Sequence, residues 1–231
     1  MVMFKGKKYI SKKVGYIGLI ILIVNSLMVS PAGAADDSFE FLPILKFTGG
    51  ILSSVVVHEG AHALVGGVTG TSMSWRVGDV NQPIQFTENS TSNGKGWAIN
   101  SAGLLAQMGT SEFILFNDKI DKNGSYVRGV MFWNIVNPLV YAIDYWFIHK
   151  TNKLDGNTYM GDLKGIEFYS NKTTADIFTA TMVALVSFEA YRFVKTQSWA
   201  PEWLKDKGEP EHFNVVPLLS GGALLTYTAR W

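Results

Sequence analysis

Residues 47–75 read FTGGILSSVVVHEGAHALVGGVTGTSMSW, and the only ionisable side chains among them are His58, Glu59 and His62. Together they spell His-Glu-x-x-His. On a helix, positions i and i+4 share a face, so both imidazoles can reach one ion. Glu59 falls beside the first ligand, where its carboxylate can hold a water without binding the metal itself. Two imidazoles and a neighbouring glutamate in this spacing are the arrangement of zinc hydrolases. A helix on the surface of a soluble protein carries a polar stripe, whereas this stretch is apolar on every side. It exceeds the roughly 20 residues needed to cross a bilayer, and ionisable groups in such a setting are costly unless they carry function. Gly66 and Gly70 form a small-xxx-small pair of the kind that lets membrane helices approach closely. The expectation is a metal site inside or at the edge of a membrane.

The rest of the composition agrees with that setting. Charged residues make up 17% of the 231, below the usual quarter, and polar loops separate the apolar segments. There is no cysteine, which excludes disulfides and thiolate ligands, so a bound metal must use histidine and carboxylate. Residues 1–34 have the form of a secretory signal. Lys5, Lys7, Lys8, Lys12 and Lys13 precede an apolar core, and Pro31-Ala32-Gly33-Ala34 offers a small-x-small cleavage site; an uncleaved anchor is the alternative. Cleavage after Ala34 would leave 15 basic against 19 acidic residues, a net charge of −4. Nothing in that balance points to nucleic acid. The expected location is a bacterial cell membrane, reached by export.

Residues 35–196 are read as a membrane core and 197–231 as a charged linker with an apolar tail. Pro43 suits the first turn of the motif helix, which is expected to end near Val68. Turn residues at Gly78-Asp79 and Asn81-Gln82-Pro83, between short alternating runs, predict a β-hairpin over 71–95. Residues 96–116, rich in small side chains, predict a tightly packing helix. Residues 129–149 predict another, with Asn134, Asn137 and Pro138 inside it and Asp144 as its one acid. Residues 150–173 read as an exposed loop. Residues 174–194 predict a fourth helix, with Glu189 and Arg192 as an ion pair at its end. The tail is compatible with a short helix or a strand. The fold class is therefore mainly α: a helical membrane bundle of about four spans with a β-hairpin after the motif helix.

A catalytic zinc normally has three protein ligands and an open position. Beyond His58 and His62, the acids on apolar segments are Glu112, Asp144, Asp176 and Glu189. Residue 60 and Asp144 lie at similar depth in their own segments, within roughly 3 Å at the helical rise, if 96–116 crosses between them. The other three acids lie towards segment ends. Asp144 is the expected third ligand.

In their order these features resemble the site-2 protease family of intramembrane zinc metalloproteases. The resemblance rests on His58-Glu59-Gly60-Ala61-His62, on the small-residue run Ser101-Ala102-Gly103-Leu104-Leu105-Ala106-Gln107, and on Asn134, Asn137, Pro138 and Asp144, and it covers about residues 47–149. Leu104 and Gln107 stand where the family has proline and asparagine, and no glycine follows Asp144. The resemblance implies that His58, His62 and Asp144 bind zinc, that Glu59 is the catalytic base, and that Asn134 or Asn137 positions the peptide or its oxyanion. The expected activity is hydrolysis of a protein or peptide substrate in or near the bilayer. Two other readings stay open: a non-catalytic membrane scaffold that keeps a vestigial site, and a soluble periplasmic zinc metallopeptidase.

Overall fold

Chain reversals and helix ends set the layout, and the first is the end of the motif helix. Helix α1, Phe41–Val68, has Pro43 in its first turn, where the missing N–H costs no helical bond. It stops at Gly70, which adopts φ +65°. The Thr71 N–H donates to the Gly66 carbonyl at 2.9 Å and the Gly70 N–H to that of Gly67 at 3.1 Å. This is a Schellman termination, which a glycine in the left-handed region allows. Gly70 therefore ends the helix rather than packing one. Gly66 faces Met73, whose side chain occupies the space a Cβ would need, so the expected small-residue pair does not serve a helix–helix contact.

In a computed structural model the described residues are 41–77, 84–88, 91–148, 161–205, 212–217 and 223–228. All lie in the unit Glu40–Trp231. The proposed signal sequence falls outside the described residues. After α1 come strands β1, Met73–Val77, and β2, Ile84–Glu88, an antiparallel hairpin in which Trp75 pairs with Phe86. Helix α2, Asn93–Phe116, and helix α3, Ser125–Ile143, follow, and α3 runs on into a π-helical turn, Asp144–Ile148. Helix α4, Asp162–Tyr169, is short; helix α5, Lys172–Lys195, is capped by the Asn171 side chain, which accepts from the Thr174 N–H at 2.9 Å. Strands β3, His212–Pro217, and β4, Ala223–Thr228, form a second antiparallel hairpin, which settles the tail as strand.

The structure is mainly helical, and α1 packs chiefly against α2 and α3. The crossing with α3 is close because two glycines meet there. A Cβ on Gly50 would run into the backbone of Tyr126 and Val130, and one on Gly129 into the backbone of Phe47. Backbone contact of this kind is how small residues bring helices together. Leu104, Met108, Ala142, Leu163, Ile166, Met182 and Val186 fill the space between α2, α3, α4 and α5.

Among the described residues two helices, α1 and α5, are long and apolar enough to cross a bilayer by length and composition. The side of α1 turned away from the bundle carries Leu45, Leu52, Val56, Leu64 and Val68, all exposed, Val56 at 69% and Val68 at 80%.

Two expectations fail in this part of the chain. Residues 150–173 were expected to be an exposed loop, yet 161–169 include a buried helix. Leu163 and Ile166, one turn apart, point into the core, and the apolar area they hide outweighs the polarity of the surrounding sequence. The second is the ion pair within α5: Arg192 instead donates to both carboxylate oxygens of Glu112 on α2, at 2.8 and 2.7 Å. Both bonds come from Nη1, and a charge-assisted contact with the two oxygens of a carboxylate on the facing helix wins over a neighbour on α5 itself.

Candidate metal centre

The motif helix does what its spacing requires. His58 and His62 lie on the inner face of α1, buried to 3% and 0% exposure. Their Nε2 atoms stand 3.2 Å apart. Each ring is held by its other nitrogen. His62 Nδ1 is 2.6 Å from the Ile99 carbonyl oxygen, which can only accept, so that nitrogen carries the proton. His58 Nδ1 is 3.0 Å from Oε1 of Gln107. Rings pinned at Nδ1 present Nε2 lone pairs to a shared point, the usual way in which outer partners prepare metal-binding imidazoles.

The acid at that point is Asp162. Its Oδ2 lies 3.1 Å from His58 Nε2 and 3.5 Å from His62 Nε2, and the residue is 2% exposed. His58, His62 and Asp162 form the group among the described residues that could hold a metal ion. Asp144, the expected ligand, is not part of it. It sits at the junction of α3 and the π-helical turn, while Asp162 opens α4. Glu112 is engaged by Arg192, Asp176 by Lys172 and by the Trp146 N–H at 3.2 Å, and Glu189 is buried on α5. None of these four joins the histidines.

Asp162 reaches the site because of its local sequence. Gly161 before it takes φ +82° and lies against Tyr141, where a Cβ would stand 3.1 Å from Cε1. Leu163 and Ile166 then anchor the helix. A carboxylate in the first turn also suits the positive end of the helix dipole. Burial by itself raises the Asp162 carboxyl; when His62 and His58 are protonated, their positive charge outweighs it and holds the group below the usual carboxylate range. Oδ2 is nonetheless buried without a hydrogen-bond partner.

Helix α2 leaves room for the cluster. A Cβ on Gly103 would lie 2.5 Å from His62 Nε2 and 2.6 Å from His58 Nε2, so only glycine lets α2 pack here with that space open. Aromatic rings flank the site. Phe86 of β2 tilts over His62 with centroids 4.4 Å apart, and Tyr141 stacks towards His58 at 6.1 Å. Glu59 is half-buried, and its Oε2 has no hydrogen-bond partner.

The two asparagines singled out in the sequence are both drawn into a polar relay. Asn134 Oδ1 accepts a hydrogen bond from the Ser54 hydroxyl. Asn137 Nδ2 donates to Gln107 Oε1 at 2.9 Å, and Gln107 Nε2 donates to Ser54 Oγ at 3.2 Å. Gln107 meets His58 at Nδ1, so Asn137 is tied to the ring's far side from the metal-facing nitrogen.

Sequence reasoning missed Asp162, although a signal existed. Gly-Asp before an apolar pair at i and i+3, Leu163 and Ile166, marks the start of a short buried helix. No family model, curated protein or solved structure matches the chain.

Proposed function

We propose that this chain is a membrane-embedded zinc-dependent endopeptidase in which His58, His62 and Asp162 hold the metal and Glu59 is the general base. The observation that carries the reading is the convergence of two Nε2 lone pairs and one buried carboxylate oxygen on a single point. Ligand atoms bonded at about 2.05 Å in a tetrahedron lie about 3.3 Å apart. The separations here are 3.1, 3.5 and 3.2 Å. Two imidazoles with one carboxylate favour zinc over calcium or magnesium, which take oxygen ligands.

Zinc bound in such a set supplies acidity to a water and polarises a carbonyl. The protein's own groups do the rest. Glu59, next to a ligand but outside the set, takes the proton of the attacking water and hands it to the leaving amine. Phe86 and Tyr141 restrict water around the rings. The site lies about 12 Å from the Val68 end of α1 and about 28 Å from the Phe41 end. Peptide and water therefore enter from the side of the β1–β2 hairpin. A membrane bundle of about four spans, with α2 and α3 crossing beside α1 and α5, accommodates that geometry.

Near-complete burial of all three ligands favours a second reading, a membrane scaffold in which the metal only holds helices together. One experiment separates the two. The full chain, purified in detergent with zinc, is assayed on a model transmembrane peptide together with its Glu59→Gln variant. Peptidase action requires that the variant keep the wild-type zinc content and lose cleavage by a factor on the order of 10² to 10⁴. Equal cleavage by both proteins rules out the role given to Glu59, and zinc without cleavage in the wild type supports the scaffold.

A further inference from the structure

Four buried or half-buried polar side chains connect three helices behind His58. Ser54 lies one turn before His58 on α1, Gln107 is on α2, and Asn134 and Asn137 are on α3. Ser54, Gln107 and Asn134 are at most 2% exposed. Burying that many amides in an apolar interface costs free energy for any polar atom left without a partner, as Asn134 Nδ2 is, and the bonds that do form favour one arrangement.

Its polarity follows from end to end. The Ser54 hydroxyl donates to Asn134 Oδ1. That leaves Ser54 Oγ as acceptor for Gln107 Nε2, at 3.2 Å. The amide of Gln107 is thereby oriented with Oε1 towards Asn137 Nδ2, at 2.9 Å, and towards His58 Nδ1, at 3.0 Å. An oxygen facing Nδ1 requires the proton on Nδ1, and with one proton on a neutral ring Nε2 is left bare. Ile99 imposes the same tautomer on His62 through its carbonyl. His62 is thus set by backbone and His58 by a side chain, which makes only the second open to mutation.

The geometry points to Gln107 as a positioning residue: it fixes the tautomer and ring orientation of His58, with Asn137 and Ser54 holding the Gln107 amide in place. It touches neither the metal point nor a substrate and acts only through His58. This rests on the reading of His58 as a metal ligand, and two measurements separate the failure of one from the failure of the other.

The first is zinc affinity of the full chain in detergent, by competition with a chromophoric chelator, for wild type, Gln107→Leu and Gln107→Glu. Loss of an outer hydrogen bond to a ligating histidine weakens binding by about 10- to 100-fold. Gln107→Leu is expected to show that loss. Gln107→Glu, which keeps an acceptor at Nδ1, is expected to stay within about threefold of wild type. Wild-type affinity in Gln107→Leu overturns the inference, and so does an equal loss in both variants, because packing alone would then explain it. The second is the nitrogen-15 spectrum of the metal-free protein labelled in histidine, with His58→Ala used for assignment. His58 is expected as the Nδ1-protonated tautomer in wild type and as a mixture in Gln107→Leu. An Nε2-protonated His58 in the wild type overturns the inference even if no zinc binds, since the relay would then run in the opposite sense.

Discussion

Gly103 of α2 and His62 of α1 approach so closely that a Cβ on the glycine would stand 2.5 Å from His62 Nε2. The same Cβ would stand 2.6 Å from His58 Nε2. One hydrogen in place of a methyl keeps open the point on which the three ligand atoms converge.

Gly103→Ala is therefore expected to expel the metal while leaving every ligand in the chain. Metal content by elemental analysis should fall at least about 10-fold, the scale set by disturbing the surroundings of a zinc ligand, with helix content by circular dichroism unchanged. Full metal occupancy in Gly103→Ala would show that the ion does not sit between the two Nε2 atoms.

Asp162 and Asp144 make opposite predictions. Asp162→Ala removes a ligand and leaves His58 and His62 as a two-point site, so zinc affinity should drop more than about 100-fold. Asp144→Ala should change it by less than threefold, roughly the noise expected of a residue outside the set. A larger loss in the Asp144 variant than in the Asp162 variant would reinstate the ligand expected from depth along the sequence.

The α1–α3 crossing can be tested apart from chemistry. Gly129→Leu would push a side chain into the Phe47 backbone. Overpacking at such a contact costs about 1–3 kcal/mol, read as a fall in the thermal midpoint of the detergent-solubilised protein. Gly67→Leu, where nothing lies within 4 Å of a Cβ, is the matched control and should leave the midpoint in place. Equal tolerance at both positions would mean that the helices do not meet at Gly129.

Ser54→Ala is expected to destabilise the fold by about 1–3 kcal/mol, because it leaves Asn134 Oδ1 and Gln107 Nε2 buried without their partner. Ser53→Ala, one residue away, removes a half-buried hydroxyl that bonds the Gly49 carbonyl at 2.9 Å and accepts from Tyr126 at 2.8 Å. It should cost clearly less. Urea or thermal unfolding of the two variants side by side checks the difference.

The outward side of α1 sets the expectation for location. Leu52, Val56, Leu64 and Val68 are exposed on a helix of 28 residues, about 42 Å long at 1.5 Å per residue. That apolar length covers a hydrocarbon core of about 30 Å. The expressed chain should stay with membranes through an alkaline carbonate wash. Recovery in the supernatant as a monodisperse protein would favour the soluble metallopeptidase reading.

Much of the layout was legible because it depends on neighbours in the chain. The end of α1 near Val68, the hairpin across 73–88 and helices close to 96–116 and 174–194 follow from runs of hydrophobicity and from turn residues. Where longer-range packing competes with local signals, the reading failed. Polar residues around 161–169 concealed an anchored helix, and Arg192 reached across to Glu112 instead of along α5. The tail was ambiguous because the cues were balanced, and pairing of His212–Pro217 with Ala223–Thr228 decided it.

By itself the sequence determined the two histidines, the glutamate beside them and the apolar helix that carries them, since a spacing of four on a helix places two rings on one face whatever surrounds it. Only the tertiary structure decided which acid completes the set, why Gly103 must lack a side chain, and how Gln107 orients His58. Those relations join residues dozens to a hundred positions apart, and no local periodicity encodes which distant side chains the packing of α1, α2 and α4 brings within 3–4 Å of the two imidazoles.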